Sequence, residues 1–419
     1  MTFLMRACTK FALVALPVLA ATGAIAATYP AWGPDTYYAA GTIVFYNGHN
    51  YQALVNQTDF SSAGWNPTLN SLWTDLGADH SSTPTPAPVI TPVPDATLTP
   101  VLTPRPSGAP AVGDFVFSVY KDIALNMDWN TAAISTTVAG TRQPVVNVMP
   151  SRLKTLTWAF AVGECGFESW GGPLPNTIAN ANIQRFLSNG KTYVISTGST
   201  SGAFTCGSDQ GFERFIKTYY SSNLLGIDFD LEAGQSQDVI NNLVQRVIVA
   251  QRTYPRLRFS FSLATLGGSS TLGLSATGVM VLNAIKTYGL SNYTINLMVM
   301  DYGAATPANC VIGNNGKCDM GKSANQAAIN LHNGYGVPFS QIELTPMIGG
   351  NDVQDETFTL ADVATMSNFA KQNNLAGVHL WSFDRDSDCA PGPSLATCNT
   401  YGQAGTLGFT NKFLNSLGF

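Results

Sequence analysis

The chain has 419 residues, which is long enough for one large domain and a small one. Only 11% of the residues are charged, the formal net charge is −5, and no Lys/Arg cluster is present, so the composition argues against a nucleic-acid partner. A polar but weakly charged chain with 11% aromatic residues is better suited to a neutral, hydroxyl-rich ligand than to a phosphate backbone.

The N-terminal segment has the pattern of a secretory signal peptide. Arg6 and Lys10 give it a positive start, an apolar run follows at residues 11–20, and Ala24-Ile-Ala26 is a small-x-small cleavage site before Ala27. The apolar run is too short for a membrane anchor, and no later segment reaches spanning length. We therefore expect residues 1–26 to be removed and the mature protein to be secreted to the extracellular space, without membrane contact.

The sequence of residues 27–80 predicts a small, β-rich module without cysteines. Residues 43–46, the turn Asn47-Gly48 and residues 50–53 have the pattern of a β-hairpin. A unit of this size buries little surface, so its aromatic residues serve either as core or as a binding surface.

This module resembles the small chitin- and cellulose-binding modules, of the family 5/12 kind, that accompany chitinases. The resemblance rests on Gly41, Val44, Tyr46, Gly48, Tyr51, Ala53 and the closing residues 73–77. Relatives usually carry adjacent aromatic residues just after the Tyr-x-Ala step, where this chain has Leu54, Val55 and Asn56. Chitin contact is therefore assigned to Trp32, Tyr38 and Trp65, each equally compatible with a place in the core.

Residues 81–110 predict a linker. Repeated Thr-Pro and Val-Pro steps keep the backbone extended, because proline prevents both helix formation and strand pairing. Such a segment is a semi-rigid spacer between two modules.

Residues 111–419 predict a (β/α)₈ barrel, because apolar strand-like runs alternate with helix-like segments. The predicted helices include 238–252 and a second one from Thr359 to Gln372, with Thr359 as its cap. The eight predicted strands are 115–120, 155–162, 192–196, 226–231, 258–263, 293–300, 342–348 and 377–382.

The fourth predicted strand carries alternating acids. Asp228, Asp230 and Glu232 occur at every second residue and therefore point to one face. Each is about 6.6 Å from the next along the strand, at a rise of about 3.3 Å per residue. Carboxyls this close oppose each other's ionisation, so a proton is retained near neutral pH, as a general acid for a glycosidic oxygen requires. A structural acid cluster and a magnesium site remain as alternatives.

Six cysteines remain after removal of the signal peptide, and an even number in an exported protein indicates disulfides. We expect Cys310–Cys318, Cys389–Cys398 and Cys165–Cys206, which is one of fifteen possible pairings. The four histidines form no HExxH motif, and no CxxC motif is present, so we expect no metal and no other cofactor.

The large domain resembles glycoside hydrolase family 18, the chitinases. Its IDFDLE string matches the last three acids of the DxxDxDxE motif, with Leu225 in place of the first acid, for which we expect a tuning effect. The other strands that resemble the family's are Trp158–Ala161, Ser196–Ser199, Met300–Tyr302, Leu380–Ser382, and Leu344–Ile348 followed by Asn351-Asp352.

The resemblance implies substrate-assisted, retaining hydrolysis of β-1,4-linked N-acetylglucosamine by a monomer. Glu232 is then the general acid and base, Asp230 holds the acetamido N–H, and Asp228 shares charge with Asp230. Tyr302 binds the acetamido oxygen and Trp381 forms the floor under the sugar. The further substrate contacts implied are Phe160, Met298, Met300 and Asp301.

Two other functions remain open from the sequence. One is a non-catalytic chitin-binding barrel, although inactive relatives usually lose the terminal Glu that is present here as Glu232. The other is an endo-acting N-acetylglucosaminidase on glycoprotein glycans, against which the chitin-binding module argues.

Overall fold

A computed structural model describes residues 29–33, 36–38, 41–55, 57–59, 66–78, 113–270, 272–392 and 394–419. The predicted signal peptide, the predicted linker and Trp65 lie outside these residues. The described residues belong to two compact units, one before residue 99 and one from there to the end. Within the described residues, no helix has the length and apolar character that a membrane span requires.

The smaller unit is built from five short strands. They are β1 (Thr36–Tyr38), β2 (Ile43–Tyr46), β3 (His49–Ala53), β4 (Gln57–Asp59) and β5 (Trp73–Ala78). β2, β3 and β5 form an antiparallel sheet, and β1 pairs with β4. The predicted hairpin is confirmed, since Asn47 and Gly48 both have positive φ (48° and 88°), as its two-residue turn requires.

Eight parallel strands of the larger unit form a closed barrel in the order β6, β9, β11, β13, β14, β15, β16, β19. They are β6 (Val116–Asp122), β9 (Thr155–Ala161), β11 (Thr192–Gly198), β13 (Leu224–Asp230), β14 (Arg258–Ala264), β15 (Thr294–Met298), β16 (Ile342–Thr345) and β19 (Gly377–Leu380). Short strands lie in the connections: β7 (Ser135–Thr136), β8 (Gln143–Pro144), β10 (Gly163–Glu164), β12 (Phe204–Thr205), β17 (Gly349–Gly350) and β18 (Thr357–Phe358). The predicted fold, a (β/α)₈ barrel preceded by a small β-rich module, is confirmed.

Helices pack around the barrel. They are α1 (Val145–Val148), α2 (Pro175–Ser188), α3 (Asp209–Tyr219), α4 (Gln237–Thr253), α5 (Ala276–Tyr288), α6 (Met320–Tyr335), α7 (Leu360–Gln372) and α8 (Gly408–Leu417), with 3-10 turns at Phe339–Gln341 and Phe383–Arg385. Both predicted helices are present as α4 and α7. The Thr359 cap is also present, since its hydroxyl accepts the N–H of Asp362 while the Asp362 carboxylate accepts the N–H of Thr359.

The alternation in β13 separates two environments. Ile227, Phe229 and Leu231 are buried between the barrel and its helices, where the Phe229 ring lies against the rings of Phe212 and Phe261. The acids on the other face point into the barrel. The apolar face therefore fixes the strand, and the opposite face is left for polar side chains.

The start of β13 departs from this alternation. The pairing of β11 with β13 shifts register between Tyr193 and Val194, which leaves Leu225 as an extra residue. Leu225 is buried with Val116 and Val194 in a small apolar cluster. The residue at the family's first acid position is thus a packing residue in this chain.

Three disulfides join Cys165 to Cys206, Cys310 to Cys318 and Cys389 to Cys398. This is the predicted pairing. The first bridge ties the loop after β9 to the loop after β11, and the other two close short loops.

Candidate active site

A cavity of about 360 Å³ opens at the C-terminal ends of the barrel strands. It brings together most of the predicted site residues: Phe160, Asp230, Glu232, Met298, Met300, Asp301 and Trp381 all line it. Its other walls come from residues for which no site role was predicted: Tyr120, Asp122, Ser199, Thr200, Ser201, Ser262, Asn296, Thr345, Met347 and Asp352.

Asp228 lies beneath the cavity and is 1% exposed. Its Oδ1 accepts hydroxyl protons from Ser260 (2.6 Å) and Ser262 (2.8 Å), and its Oδ2 accepts them from Ser196 (2.7 Å) and Tyr120 (2.9 Å). Burial raises the pKa of Asp228, while these four hydrogen bonds stabilise the carboxylate and oppose that rise. Asp228 is therefore held in place by four hydroxyls that come from three different strands, β6, β11 and β14.

Asp230 is the last residue of β13 and is 4% exposed. Burial raises the pKa of Asp230 well above its usual range, and the nearby charges of Glu232 and Asp228 add to the effect. Its Oδ1 has no hydrogen-bond partner among the described residues. The neighbouring strand approaches closely because it ends in Gly198 (φ 88°), where a Cβ would lie 2.0 Å from the Asp230 carbonyl oxygen.

Glu232 lies two residues beyond the end of β13. The residue as a whole is exposed, but its carboxyl lies among the cavity walls, where partial burial raises its pKa and the charge of Asp301 raises it further. The Asp230 and Glu232 carboxyls interact, and this interaction lowers the pKa of Glu232 and raises that of Asp230. Their ionisation is therefore coupled, so that the charge of one carboxyl opposes the loss of a proton from the other.

The floor of the cavity is aromatic. The rings of Trp381 and Phe160 are stacked, with centroids 5.5 Å apart and planes inclined by 28°. The Tyr120 ring meets Trp381 edge-on at 6.3 Å. Both Trp381 and Phe160 are half-buried, so each presents one face to the cavity and packs with the other, as in a surface that stacks against a ring-shaped ligand.

Tyr302 lies just beyond the cavity wall. It is 2% exposed and packs against the main hydrophobic core, and its hydroxyl has no hydrogen-bond partner among the described residues. β15 ends at Met298, and Asp301 has a left-handed backbone (φ 51°), so the chain turns before Tyr302. Met300 and Asp301 line the cavity, and the contact of Tyr302 with substrate stays a prediction.

Half of the unpredicted cavity residues come from the same alternation in other strands, and the other half lie beyond strand ends. In β6, Tyr120 and Asp122 point inward two residues apart, and in β14 Ser262 does so two residues after Ser260. Polar residues at every second position of otherwise apolar strands were the available signal. Asp352 lies two residues after the short strand β17, and no periodic pattern in the sequence indicates it.

The predicted contact residues of the small unit have different environments. Tyr38 is 6% exposed, packs edge-on against Trp73 at 4.9 Å and exchanges hydrogen bonds with the Gly33 backbone, so it lies in the core of this unit, one of the two places that the sequence left open for it. Trp32 is half-buried, and its indole N–H donates to Asp59 (2.7 Å). Asp59 also accepts from the Trp73 indole (3.0 Å), so one buried carboxylate fixes both rings.

The acidic strand does not form a compact set of metal ligands. Among the described residues, the one group of three potential ligand atoms close together is Glu164 with Cys165 and Cys206. The two cysteines are joined in a disulfide and offer no thiolate. The magnesium alternative for Asp228, Asp230 and Glu232 therefore finds no support in this geometry.

Residues 31–74 match the carbohydrate-binding module family 5/12. The chain is 26% identical over 377 residues to a probable bifunctional chitinase/lysozyme of Escherichia coli and 26% identical over 392 residues to endochitinase 11 of Metarhizium anisopliae. These matches cover 85% and 88% of this chain, which spans only 38% and 66% of the two relatives.

The fold of the barrel is shared with a solved chitinase structure. The catalytic domain of a hyperthermophilic chitinase from Pyrococcus furiosus superposes with a TM-score of 0.56 at 23% identity, covering 74% of this chain and 98% of that domain. The resemblance predicted from the sequence, to chitinases with an attached carbohydrate-binding module, is therefore confirmed.

Proposed function

We propose that the protein is a secreted chitinase that hydrolyses β-1,4-linked N-acetylglucosamine with retention of configuration. The observation that carries the proposal is the pair of neighbouring carboxyls, Asp230 and Glu232, at the end of β13 in a cavity with an aromatic floor. The similarity to two curated proteins named as chitinases supports the choice of substrate.

Glu232 is the general acid in this proposal. We assign one proton to the Asp230–Glu232 pair of the free protein and place it on Asp230, whose pKa burial raises well above its usual range. The acetamido N–H of a bound sugar donates to the Asp230 carboxylate, so Asp230 gives up its proton to the neighbouring Glu232 carboxyl. Substrate binding thereby converts Glu232 into an acid positioned at the leaving oxygen.

The bond changes follow the family's substrate-assisted scheme. The proton of Glu232 passes to the glycosidic oxygen as its bond to C1 breaks, and the carbonyl oxygen of the substrate's acetamido group forms a bond to C1. The positive oxazolinium ion lies beside Asp230, which Asp228 supports from below. Water then adds to C1, its proton returns to Glu232, and the oxazolinium ring opens.

The remaining assignments concern binding and location. Trp381, stacked on Phe160, supports the sugar ring, and Met298, Met300 and Asp301 form the opposing wall. Residues 27–80 form the carbohydrate-binding module, with Trp32 as its candidate contact, and residues 81–110 link it to the hydrolase domain at 111–419. Export by residues 1–26 to an oxidising compartment agrees with the three disulfides.

Mass spectrometry of products from N-acetylglucosamine oligomers tests the proposal, with wild type, Glu232→Gln and the control Glu213→Gln compared. Glu213 is an exposed residue of α3 paired with Lys217, so it controls for the loss of one carboxylate. We expect wild type and the control to cleave and Glu232→Gln to lose at least a thousandfold in kcat, an order-of-magnitude expectation for an essential general acid. Equal cleavage by all three would reject the role of Glu232, and no cleavage by any would reject hydrolysis of this substrate.

A further inference from the structure

Two loops at the cavity rim are joined by reciprocal hydrogen bonds. One follows β15 and carries Asp301; the other follows β16 and includes residues 346–356. The N–H of Asp301 donates to Asn351 Oδ1 (3.3 Å), and the Asp301 carboxylate accepts the N–H of Val353 (3.1 Å). The next N–H along the chain, that of Tyr302, donates to Glu356 Oε2 (3.0 Å). Asp301 is therefore held on both its backbone and its side chain by one loop.

The two side chains that hold this turn are themselves buried and fixed. Asn351 is 3% exposed, and its amide donates to the carbonyls of Met347 (2.9 Å) and Gly349 (3.2 Å). Glu356 is 1% exposed, and its backbone carbonyl accepts the N–H of Asn351 (3.0 Å). Neither residue lines the cavity. Their contacts are thus with the turn and not with a ligand in the cavity.

The turn at Asp301 needs such support because its backbone is in a left-handed conformation, with φ 51°. A non-glycine residue in this region costs about 1 kcal/mol or more, and persists where surrounding contacts over-determine it. The conformation directs the Asp301 side chain to the cavity wall and sends Tyr302 into the core. Without the hydrogen bonds to Asn351 and Glu356, we expect this left-handed turn to relax to a more favourable backbone conformation.

The position of the Asp301 carboxylate affects the protonation of Glu232 in the cavity. Asp301 raises the pKa of Glu232, and is itself close to Asp352 and to the buried guanidinium of Arg385. The carboxyl of Glu356 is faced by Asp301 and by the N–H groups of residues 301–303, and burial raises its pKa to about 7. A displacement of Asp301 would therefore change the proton affinity of Glu232 as well as the shape of the wall.

We propose that Asn351 and Glu356 are positioning residues that hold the Asp301 carboxylate at the cavity wall through the backbone turn at residues 301–302. This proposal rests on the proposed function for its catalytic consequence, but not for its structural content. Neither residue belongs to the acidic strand, and both act through Asp301 without touching substrate.

The test compares wild type with Glu356→Ala, Asn351→Ala, Glu356→Gln and Asp355→Asn. Gln keeps an oxygen that can accept the Tyr302 N–H. Asp355 is the exposed neighbour of Glu356, ion-paired with Lys317, and controls for loss of a carboxylate in the same loop. The measurements are kcat and KM on N-acetylglucosamine oligomers across pH, and amide hydrogen exchange of peptides covering residues 299–303, read by mass spectrometry.

We expect Glu356→Ala and Asn351→Ala to lower kcat/KM about tenfold, as for a displaced wall residue. Because the charge of Asp301 raises the pKa of Glu232, its displacement lets Glu232 lose its proton earlier, and the alkaline limb of the pH profile moves to lower pH. Exchange of the Asp301 and Tyr302 amides becomes faster in the same variants. Glu356→Gln recovers most of the activity lost in Glu356→Ala, and Asp355→Asn matches wild type.

An unchanged pH profile and unchanged exchange in both alanine variants would overturn the proposal. So would a Glu356→Gln variant as impaired as Glu356→Ala. If Glu356→Ala does not fold, Asn351→Ala and the exchange of Glu356→Gln decide the question. If wild type cleaves no oligomer, the proposed function fails, while the exchange comparison still supports or refutes the role of Asn351 and Glu356.

Discussion

Replacement of Lys121 by Met is expected to destabilise the barrel strongly. Lys121 is the penultimate residue of β6, and its ammonium lies 2.7 Å from the Asp384 carboxylate; the two side chains are 0% and 1% exposed. The ammonium also donates to the carbonyls of Asp122 and Leu125. Met keeps the volume of the side chain but leaves the carboxylate of Asp384 without its counter-charge.

The expected loss in the free energy of unfolding is the balance of opposing contributions. At an effective dielectric constant of about 20, the attraction across 2.7 Å is on the order of 6 kcal/mol, and two lost hydrogen bonds add about 1 kcal/mol each. Removing the buried ammonium recovers several kcal/mol of desolvation cost. We therefore expect Lys121→Met to lower the free energy of unfolding by about 3–5 kcal/mol, the usual cost of breaking a buried pair, and to lower Tm by about 5–10 °C.

Urea unfolding at several pH values is the assay. Burial already raises the pKa of Asp384, and the Lys121 charge opposes that rise; without Lys121 the carboxyl binds a proton more readily in the folded state. The folded variant then binds more protons than the unfolded chain, so the stability loss shrinks as pH falls. Lys217→Met, which breaks the exposed pair with Glu213, is the control and should leave the free energy of unfolding nearly unchanged.

A stability loss below about 1 kcal/mol for Lys121→Met would refute this reasoning. So would a loss that does not depend on pH. The double variant Lys121→Met/Asp384→Asn removes both charges and should be more stable than Lys121→Met alone; if it is less stable, the unpaired carboxylate is not the cause.

Three further predictions concern other parts of the larger unit. Trp381→Ala removes the ring stacked on Phe160 and should lower kcat/KM about tenfold or more, mainly through KM, in assays with N-acetylglucosamine oligomers; an unchanged KM would exclude Trp381 as the sugar platform. Leu225→Asp restores the family's first acid but buries a carboxyl beside Val116 and Val194, so we expect a loss of about 3 kcal/mol or more in urea unfolding, and unchanged stability would contradict the apolar cluster. Glu356→Gln should stabilise the protein above pH 7: burial raises the folded-state pKa to about 7 from its ordinary 4.5, so wild-type stability falls as pH rises between those values. The gain in the free energy of unfolding at pH 8 is about 1–2 kcal/mol after allowance for solvent screening, and it should vanish near pH 4; a gain independent of pH would reject ionisation of Glu356 as its cause.

The sequence by itself determined the features that depend on local periodicity. The alternation in residues 224–232 placed Asp228 and Asp230 inside the barrel and Ile227 and Phe229 outside it, because successive side chains of a strand point to opposite faces. Eight strand-like runs separated by helical segments predicted the barrel, and short cysteine spacings indicated two of the three disulfides.

The tertiary structure decided what lies beyond the ends of strands and between them. Tyr302 is buried because the left-handed turn at Asp301 breaks the alternation, and Leu225 joins an apolar cluster because the register shifts at the start of β13. The four hydroxyls around Asp228 come from strands far apart in sequence, and the contacts of Asn351 and Glu356 with residues 301–302 join two separate loops. Periodicity specifies the face to which a side chain points within one strand, whereas only closure of the barrel determines which side chains meet there.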